Sequence, residues 1–262
     1  MTNWTVELAV DHLLDAEDRR HDIEPMSDTW TEFTLGEAYR VQDKTLARRL
    51  TRGEHVTGVK LGLTSRAKQA RMGVDTPLTA WLTDAMVLPT GDPVPLGRLI
   101  HPRVEPEIVF VMGEELKGPG VTAGQALAAV HSVHAGLEVI DSRYRDFRFT
   151  LPDVVADNAS SGFVVTGSVA LSPHNLDLAL EACVLEVDGR VVYTATGAAV
   201  QGHPAEALAL AANSLAARGI AIQPGWLVFT GGMTDAVPIR EGGQVTASFT
   251  SLGTLTLGAR TD

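Results

Sequence analysis

Apolar residues recur at helical spacing in four stretches of this chain and alternate with polar ones over much of the remainder. From Thr5 to Arg20, Val6, Ala9, Val10, Leu13 and Leu14 fall on one stripe while Asp11, Asp15 and Asp18 lie off it, predicting an amphipathic helix. A second helix is expected over residues 36–51, with Ala38, Val41, Leu46 and Leu50 inward. A third is expected over residues 122–134, with Thr122 as N-cap, a stripe through Ala126, Leu127, Val130 and Val133, and His131 and His134 as partly buried helix histidines. The fourth, over residues 204–217, has Pro204 at its start and Gly219 near its stop. SRAKQARMG reads as a short polar helix ending at Gly73; HDIEPMSDTWTEFT and VDTPLTAWL read as loops.

Period-two alternation marks the strands. Val59, Leu61 and Leu63 alternate with Gly58, Lys60, Gly62 and Thr64, and Val104, Ile108 and Phe110 alternate with Glu105 and Glu107. GLEVI is a further short strand, ACVLEVDGRVVYTATG a hairpin about Asp188-Gly189, and WLVFTGGMTDAVPI, GQVTASF and GTLTLGA are strands separated by glycines. The expected class is α+β: a small helical N-terminal lobe over residues 1–55, then a β-rich catalytic domain over 56–262 whose sheets roll into a sandwich or barrel. A parallel sheet wound with alternating helices is not expected.

Composition narrows the classes. The 262 residues are 45% hydrophobic and 20% charged, ordinary for a globular chain. Lys+Arg is 21 against 32 for Asp+Glu, a formal charge of −11, which speaks against nucleic acid as a partner. The acidic N-terminal stretch, with no long apolar core, reads as neither a signal peptide nor a membrane span. The single cysteine, Cys183, lies in an apolar run and reads as a small buried hydrophobe; it excludes an intramolecular disulfide and fits a reducing cytoplasm.

Candidate chemistry concentrates between Leu99 and Ser168. Side chains two apart on a strand share a face, roughly 6–7 Å apart, so Glu105 and Glu107 would stand together. If the GLEVI strand neighbours theirs, Glu138 joins them. Three carboxylates in a partly buried pocket need raised pKa values or a cation, and oxygen ligands suit Mg²⁺ or Mn²⁺. The competing reading of an E-x-E strand is the solvated face of a half-exposed sheet. Lys60, between two glycines that leave room near the backbone, reads either as a pocket residue or as an outward strand lysine.

GVKLGLTS, RMGVDTP, HPRVEPEIVFV, GLEVIDSRY, VVADNASS, GHP and TGGMTDAVP occur in an order that resembles the hydratase/decarboxylase group of the fumarylacetoacetase-like superfamily, over nearly the whole chain. The resemblance implies a fumarylacetoacetase-like fold, Mg²⁺ or Mn²⁺ on Glu105, Glu107 and Glu138, and a catalytic Lys60. It implies Leu61, Asn158, Ser160, Ser161 and Arg143 at the substrate, an unsaturated 2-oxo acid. One branch decarboxylates 2-oxohex-3-enedioate; the other hydrates the product, 2-hydroxypenta-2,4-dienoate. Hydratases tend to continue G-V-D-x-P with Asp-Phe-Gly, whereas residues 73–80 read GVDTPLTA; Ala80-Trp81 departs from the glycine usual in both branches. The aromatic-bracketed run Tyr144-Arg145-Asp146-Phe147 is similar to the decarboxylases, so a decarboxylase of the dicarboxylate is expected, with an arginine among Arg143, Arg145 and Arg148 on the distal carboxylate. A homo-oligomer is also expected, with the pathway hydratase as a candidate partner. A C–C hydrolase using His21 and Glu24 is a further alternative, set against a solvated polar loop. A non-catalytic subunit is disfavoured, because it has no reason to keep Lys60 and buried like charges.

Overall fold

The computed structural model describes residues 3–65, 69–70 and 77–261. The N-terminal helices form where the apolar stripes require them. Helix α1 (Val6–Arg19) opens at Thr5, whose hydroxyl accepts the Leu8 N–H, and buries Ala9, Val10, Leu13, Leu14 and Ala16. Helix α2 (Leu35–Thr51) opens with a capping box between Thr34 and Glu37. The last long helix, α5 (Pro204–Ala216), starts on Pro204 after the His203 cap.

Among the described residues the strands make two sheets. The first runs β2 (Leu78–Thr83), β1 (Val56–Gly62), β9 (Leu227–Phe229), β4 (Arg103–Met112), β5 (Val130–Ile140), β6 (Ser161–Thr166), with β10 (Val237–Pro238) on β4. The second runs β3 (Val94–Pro95), β12 (Thr254–Arg260), β11 (Gln244–Phe249), β7 (Ala182–Val187), β8 (Arg190–Thr196). Pairing is antiparallel except for β1–β9 and β12–β3. The β7–β8 hairpin turns at Asp188 and Gly189, both at positive φ, as Asp-Gly predicts. This is the expected α+β sandwich. One face of the first sheet (Ile108, Phe110, Leu137) packs with the second sheet (Leu185, Val245, Leu257) and α5 into the main core.

The other face carries the site. It is covered by α1, α2 and the short helix α4 (Leu151–Ala156), which share an apolar cluster with Leu78, Ala80 and Tyr144. Gln42 on α2 ties that layer down, its amide donating to the Thr79 and Val155 carbonyls at 3.1 and 3.0 Å. The helical layer thus draws on residues well beyond the first 55.

Three local expectations are corrected. The helix expected over 122–134 stops after one and a half turns, as α3 (Ala123–Ala128), and Val130 begins β5. Val130 to Ile140 pairs along the length of β4, and that ladder overrides the helical stripe; His131 and His134 are strand residues. VDTPLTAWL is not all loop: Leu78–Thr83 is strand β2, buried on both faces, so it shows no alternation. The glycines flanking Lys60 make room for protein. A Cβ on Gly58 would lie 2.0 Å from the Leu227 carbonyl oxygen of β9, and one on Gly62 would lie 2.8 Å from the Leu78 side chain. The short helix expected over 65–73 falls largely outside the described residues.

Candidate active site

Strand pairing builds the acidic centre. Glu105 and Glu107 share a face of β4, and Glu138 on β5 stands directly opposite Glu105 in the ladder. One carboxylate oxygen from each lies within 4.8 Å of the others. Like charges directly opposed across a ladder are destabilising, and here two of the three are fully buried: Glu107 is 0% and Glu138 1% exposed. Glu107 Oε2 accepts the Gly231 N–H at 2.7 Å, while its Oε1 is buried with no donor among the described residues. The Gly231-Gly232 backbone presses against the centre so closely that a Cβ on Gly232 would lie 2.2 Å from Glu105 Oε2.

Lys60 is not the outward strand lysine of the alternative reading. It is 3% exposed, its Nζ lies 2.8 Å from Glu138 Oε1, and it donates to the Ala159 carbonyl at 2.6 Å. Burial, and then the charges of Glu138 and Glu105, push Glu107 well above the usual carboxylate range against the Gly231 N–H and Lys60. Burial also raises Glu138, with Lys60 opposing it. Three carboxylates thus crowd one centre, two of them fully buried, and among the described residues one carboxylate oxygen, Glu107 Oε1, has no donor. A hard divalent cation with oxygen ligands fits that donor set and that charge.

The Asn158–Ser160 loop forms the wall facing Lys60. Three successive non-glycine residues, Asn158, Ala159 and Ser160, sit at φ 48°, 52° and 58°, a left-handed run that persists only where its surroundings enforce it. They do. The Asn158 amide clamps the Trp81 backbone, accepting its N–H at 2.8 Å and donating to its carbonyl at 2.9 Å. Ser161 Oγ donates to the Asn158 carbonyl at 2.7 Å, and Ser160 Oγ reaches Asp157 Oδ2 at 3.4 Å. Arg143, buried beneath the loop, donates to the Asp157 carboxylate, to the Asp157 carbonyl at 2.6 Å and to the Ser161 carbonyl at 3.0 Å. Burial would lower the Arg143 pKa, but Asp157, Glu17 and Asp141 hold it above its ordinary value and keep it charged.

Each residue expected at the substrate also has a place in the protein's own packing and bonding. The Asn158, Ser160 and Ser161 side chains shape the loop that aims the Ala159 carbonyl at Lys60. The Leu61 side chain lies in the main core, on the face of β1 opposite Lys60. Arg143 braces the loop, Arg145 pairs with Asp22 and Glu24, and Arg148 with Glu24 and Asp28, so each expected anchor for a distal carboxylate is already committed. Glu24 gives both oxygens to those arginines at 2.5 Å and His21 is solvent-exposed, as a solvated polar loop requires. Sequence reasoning missed Gly231, Gly232, Ala159 and Asp157. The tandem glycine after an apolar run signals a close backbone approach, but the partner of a backbone carbonyl leaves no mark in a sequence.

Removing Arg143 strands the Asp157 carboxylate in the interior. Arg143→Ala is expected to lower stability by about 3–5 kcal/mol, read by urea unfolding of the metal-free protein. The double variant Arg143→Met/Asp157→Leu should lose less, because no charge is left unpaired.

Residues 46–258 match the family described as fumarylacetoacetate (FAA) hydrolase, C-terminal. The chain belongs to the fumarylacetoacetate hydrolase family. Within that family it is 44% identical over 252 residues to 4-oxalocrotonate decarboxylase of Pseudomonas sp. strain CF600, covering 96% of each chain. It is 41% identical to 2-hydroxypent-2,4-dienoate hydratase of Pseudomonas putida, over 80% of this chain and 96% of that one. Among solved structures it is similar to 4-oxalocrotonate decarboxylase from Pseudomonas putida G7, complexed with magnesium and adipate. That match has a TM-score of 0.95 and 41% identity, over 99% of this chain and 98% of that one.

Proposed function

We propose that this chain is a divalent-cation-dependent decarboxylase of 2-oxohex-3-enedioate (4-oxalocrotonate), releasing CO₂ and 2-hydroxypenta-2,4-dienoate in aromatic meta-cleavage catabolism. The observation that carries the reading is the largely buried three-carboxylate centre with the Lys60 ammonium set between Glu138 and the Ala159 carbonyl, in a chain similar over nearly its full length to a 4-oxalocrotonate decarboxylase. The second reading, hydration of 2-hydroxypenta-2,4-dienoate, is favoured by the hydratase relative.

Loss of CO₂ from the distal carboxylate leaves an electron pair at C5 that delocalises through the C3–C4 double bond onto the 2-oxo oxygen. Glu105, Glu107 and Glu138 would hold Mg²⁺ or Mn²⁺, which when bound supplies positive charge for the 2-oxo oxygen and the C1 carboxylate. Lys60 does the rest of the electrostatic work. An ammonium has three donors; Glu138 and Ala159 take two of them, and both fix its orientation before substrate arrives. Its third N–H is directed to the oxygen where negative charge develops, in a water-poor setting where such a contact is strongest.

Self-association is supported by Leu180, Val191, Val192 and Tyr193, exposed on and beside edge strand β8. Among the described residues no helix is long and apolar enough to cross a membrane. The single buried Cys183 supports a cytoplasmic setting. The decisive assay supplies purified protein, Mg²⁺ and 2-oxohex-3-enedioate, and follows CO₂ release. CO₂ release confirms the decarboxylase; turnover of 2-hydroxypenta-2,4-dienoate without it moves the chain to the hydratase branch.

A further inference from the structure

The three arginines expected from the sequence to hold the distal carboxylate all pair with protein carboxylates. A fourth does not. Arg103 stands on β4 two residues before Glu105, in unbroken register with β5, so it projects from the same face as Glu105 and Glu107. Its strand position is about 7 Å from Glu105, comparable to the length of a six-carbon diacid. Among the described residues no carboxylate pairs with it. Its guanidinium lies instead over the Phe147 ring, 4.1 Å from the centroid, and the other neighbour of that ring is His101, at 4.9 Å between centroids. Asp146 and Phe147 both sit at φ 56°, so the chain takes up left-handed strain at the two residues that deliver this ring. An aromatic face holds a guanidinium in place without neutralising it.

We infer that Arg103, platformed on Phe147, binds the distal carboxylate of the substrate and thereby selects dicarboxylates over monocarboxylic 2-oxo acids. The inference rests on the function proposed above. Its kinetic signature follows from the reaction. The distal carboxylate is the group that departs, and it departs as neutral CO₂, so its charge weakens as the C5–C6 bond breaks. An arginine on that carboxylate holds the ground state at least as tightly as the transition state. It contributes to KM and to selection, and contributes little or nothing to kcat. A half-exposed guanidinium kept by an aromatic ring suits that task better than a deeply buried fork, which would oppose the departure.

The test uses two saturated analogues with Mg²⁺ present, 2-oxohexanedioate and 2-oxohexanoate, which differ in the distal carboxylate alone. Calorimetry on the wild-type protein should show the diacid binding about 10- to 100-fold more tightly, the range of one charge-assisted contact. In Arg103→Leu that preference should vanish while the affinity for 2-oxohexanoate is kept, which also shows that the fold and the cation centre survive. Phe147→Leu should lose part of the preference. For 2-oxohex-3-enedioate, KM should rise by about 10- to 100-fold in Arg103→Leu with kcat held within a few-fold or increased. A preference that persists in Arg103→Leu overturns the inference, as does a wild-type protein that decarboxylates the diacid yet binds both analogues alike. A fall in kcat with KM unchanged overturns it too. Wild-type protein that binds neither analogue and releases no CO₂ overturns the proposed function, and this inference with it.

Discussion

Glu107→Gln should yield a folded protein that is more stable than the wild type without metal, loses its stabilisation by Mg²⁺, and turns over about 10²–10⁴-fold more slowly. The amide keeps the shape and the Gly231 contact but removes one of three crowded charges, two of them fully buried. Taking a like charge out of the interior relieves the metal-free fold. The same change removes a ligand from the donor set, and Lewis-acid assistance worth several kcal/mol corresponds to the stated loss in rate. Thermal unfolding with and without Mg²⁺, beside steady-state kinetics, checks all three. A variant still stabilised by Mg²⁺ as the wild type is would exclude Glu107 as a ligand.

The pH dependence has a definite sign. Glu107 and Glu138 are raised above the ordinary 4.5 of an unfolded carboxyl, chiefly by burial. Above 4.5 and below the raised values, the folded metal-free protein binds more protons than the unfolded chain. Their contribution to stability is therefore fully present below about pH 4.5 and is lost as pH rises through the raised values. Cation binding expels those protons, so Mg²⁺ affinity should climb over the same window. Mg²⁺ titrations at several pH values would show this; an affinity flat with pH would mean that the carboxylates are ionised before metal arrives.

Lys60→Ala should lower kcat by about 10²–10³-fold, the effect of deleting one preorganised donor. It also leaves Glu138 without its counter-charge, so metal-free stability should fall by about 3–5 kcal/mol. Added Mg²⁺ should restore more stability than it does in the wild type, since affinity is kept or improved once the neighbouring ammonium is gone. Lys60→Arg should rescue poorly: a planar fork does not fit between a carboxylate and a carbonyl spaced for a compact ammonium. Kinetics with paired denaturant unfolding decide the matter. Near wild-type kcat in folded Lys60→Ala would reduce the lysine to a counter-charge for Glu138.

Much of this was legible in the sequence, for identifiable reasons. The period of two on β4 put Glu105 and Glu107 on one face, and the later glutamate in a short apolar strand supplied the third group. The long helices announced themselves through stripes and caps. What failed did so where tertiary pairing outweighed local pattern, as at Val130, or where burial on both faces erased alternation, as in β2. The intramolecular bonds of Arg143 and Asn158 were illegible for another reason. Their residue types suggest ligand recognition, yet both bond to neighbouring backbone, and side-chain bonds to backbone carry no compositional signature. Arg103 sat in plain view beside the E-x-E motif, but nothing in one sequence says which arginines will find carboxylates.

The placement of β9 bears on how the molecule is made. Residues 227–229 lie between β1 and β4, strands encoded more than a hundred positions earlier, and run parallel to β1. Until that segment leaves the ribosome, β1 and β4 have no shared neighbour, and the lysine of one cannot be held in register with the glutamates of the other. Such non-local closure makes for slow folding and exposes unpaired strand edges meanwhile. Nascent chains that stop short of residue 223 should depend on holdase chaperones to stay in solution, and acquire neither the cation centre nor protease resistance until β9 has emerged.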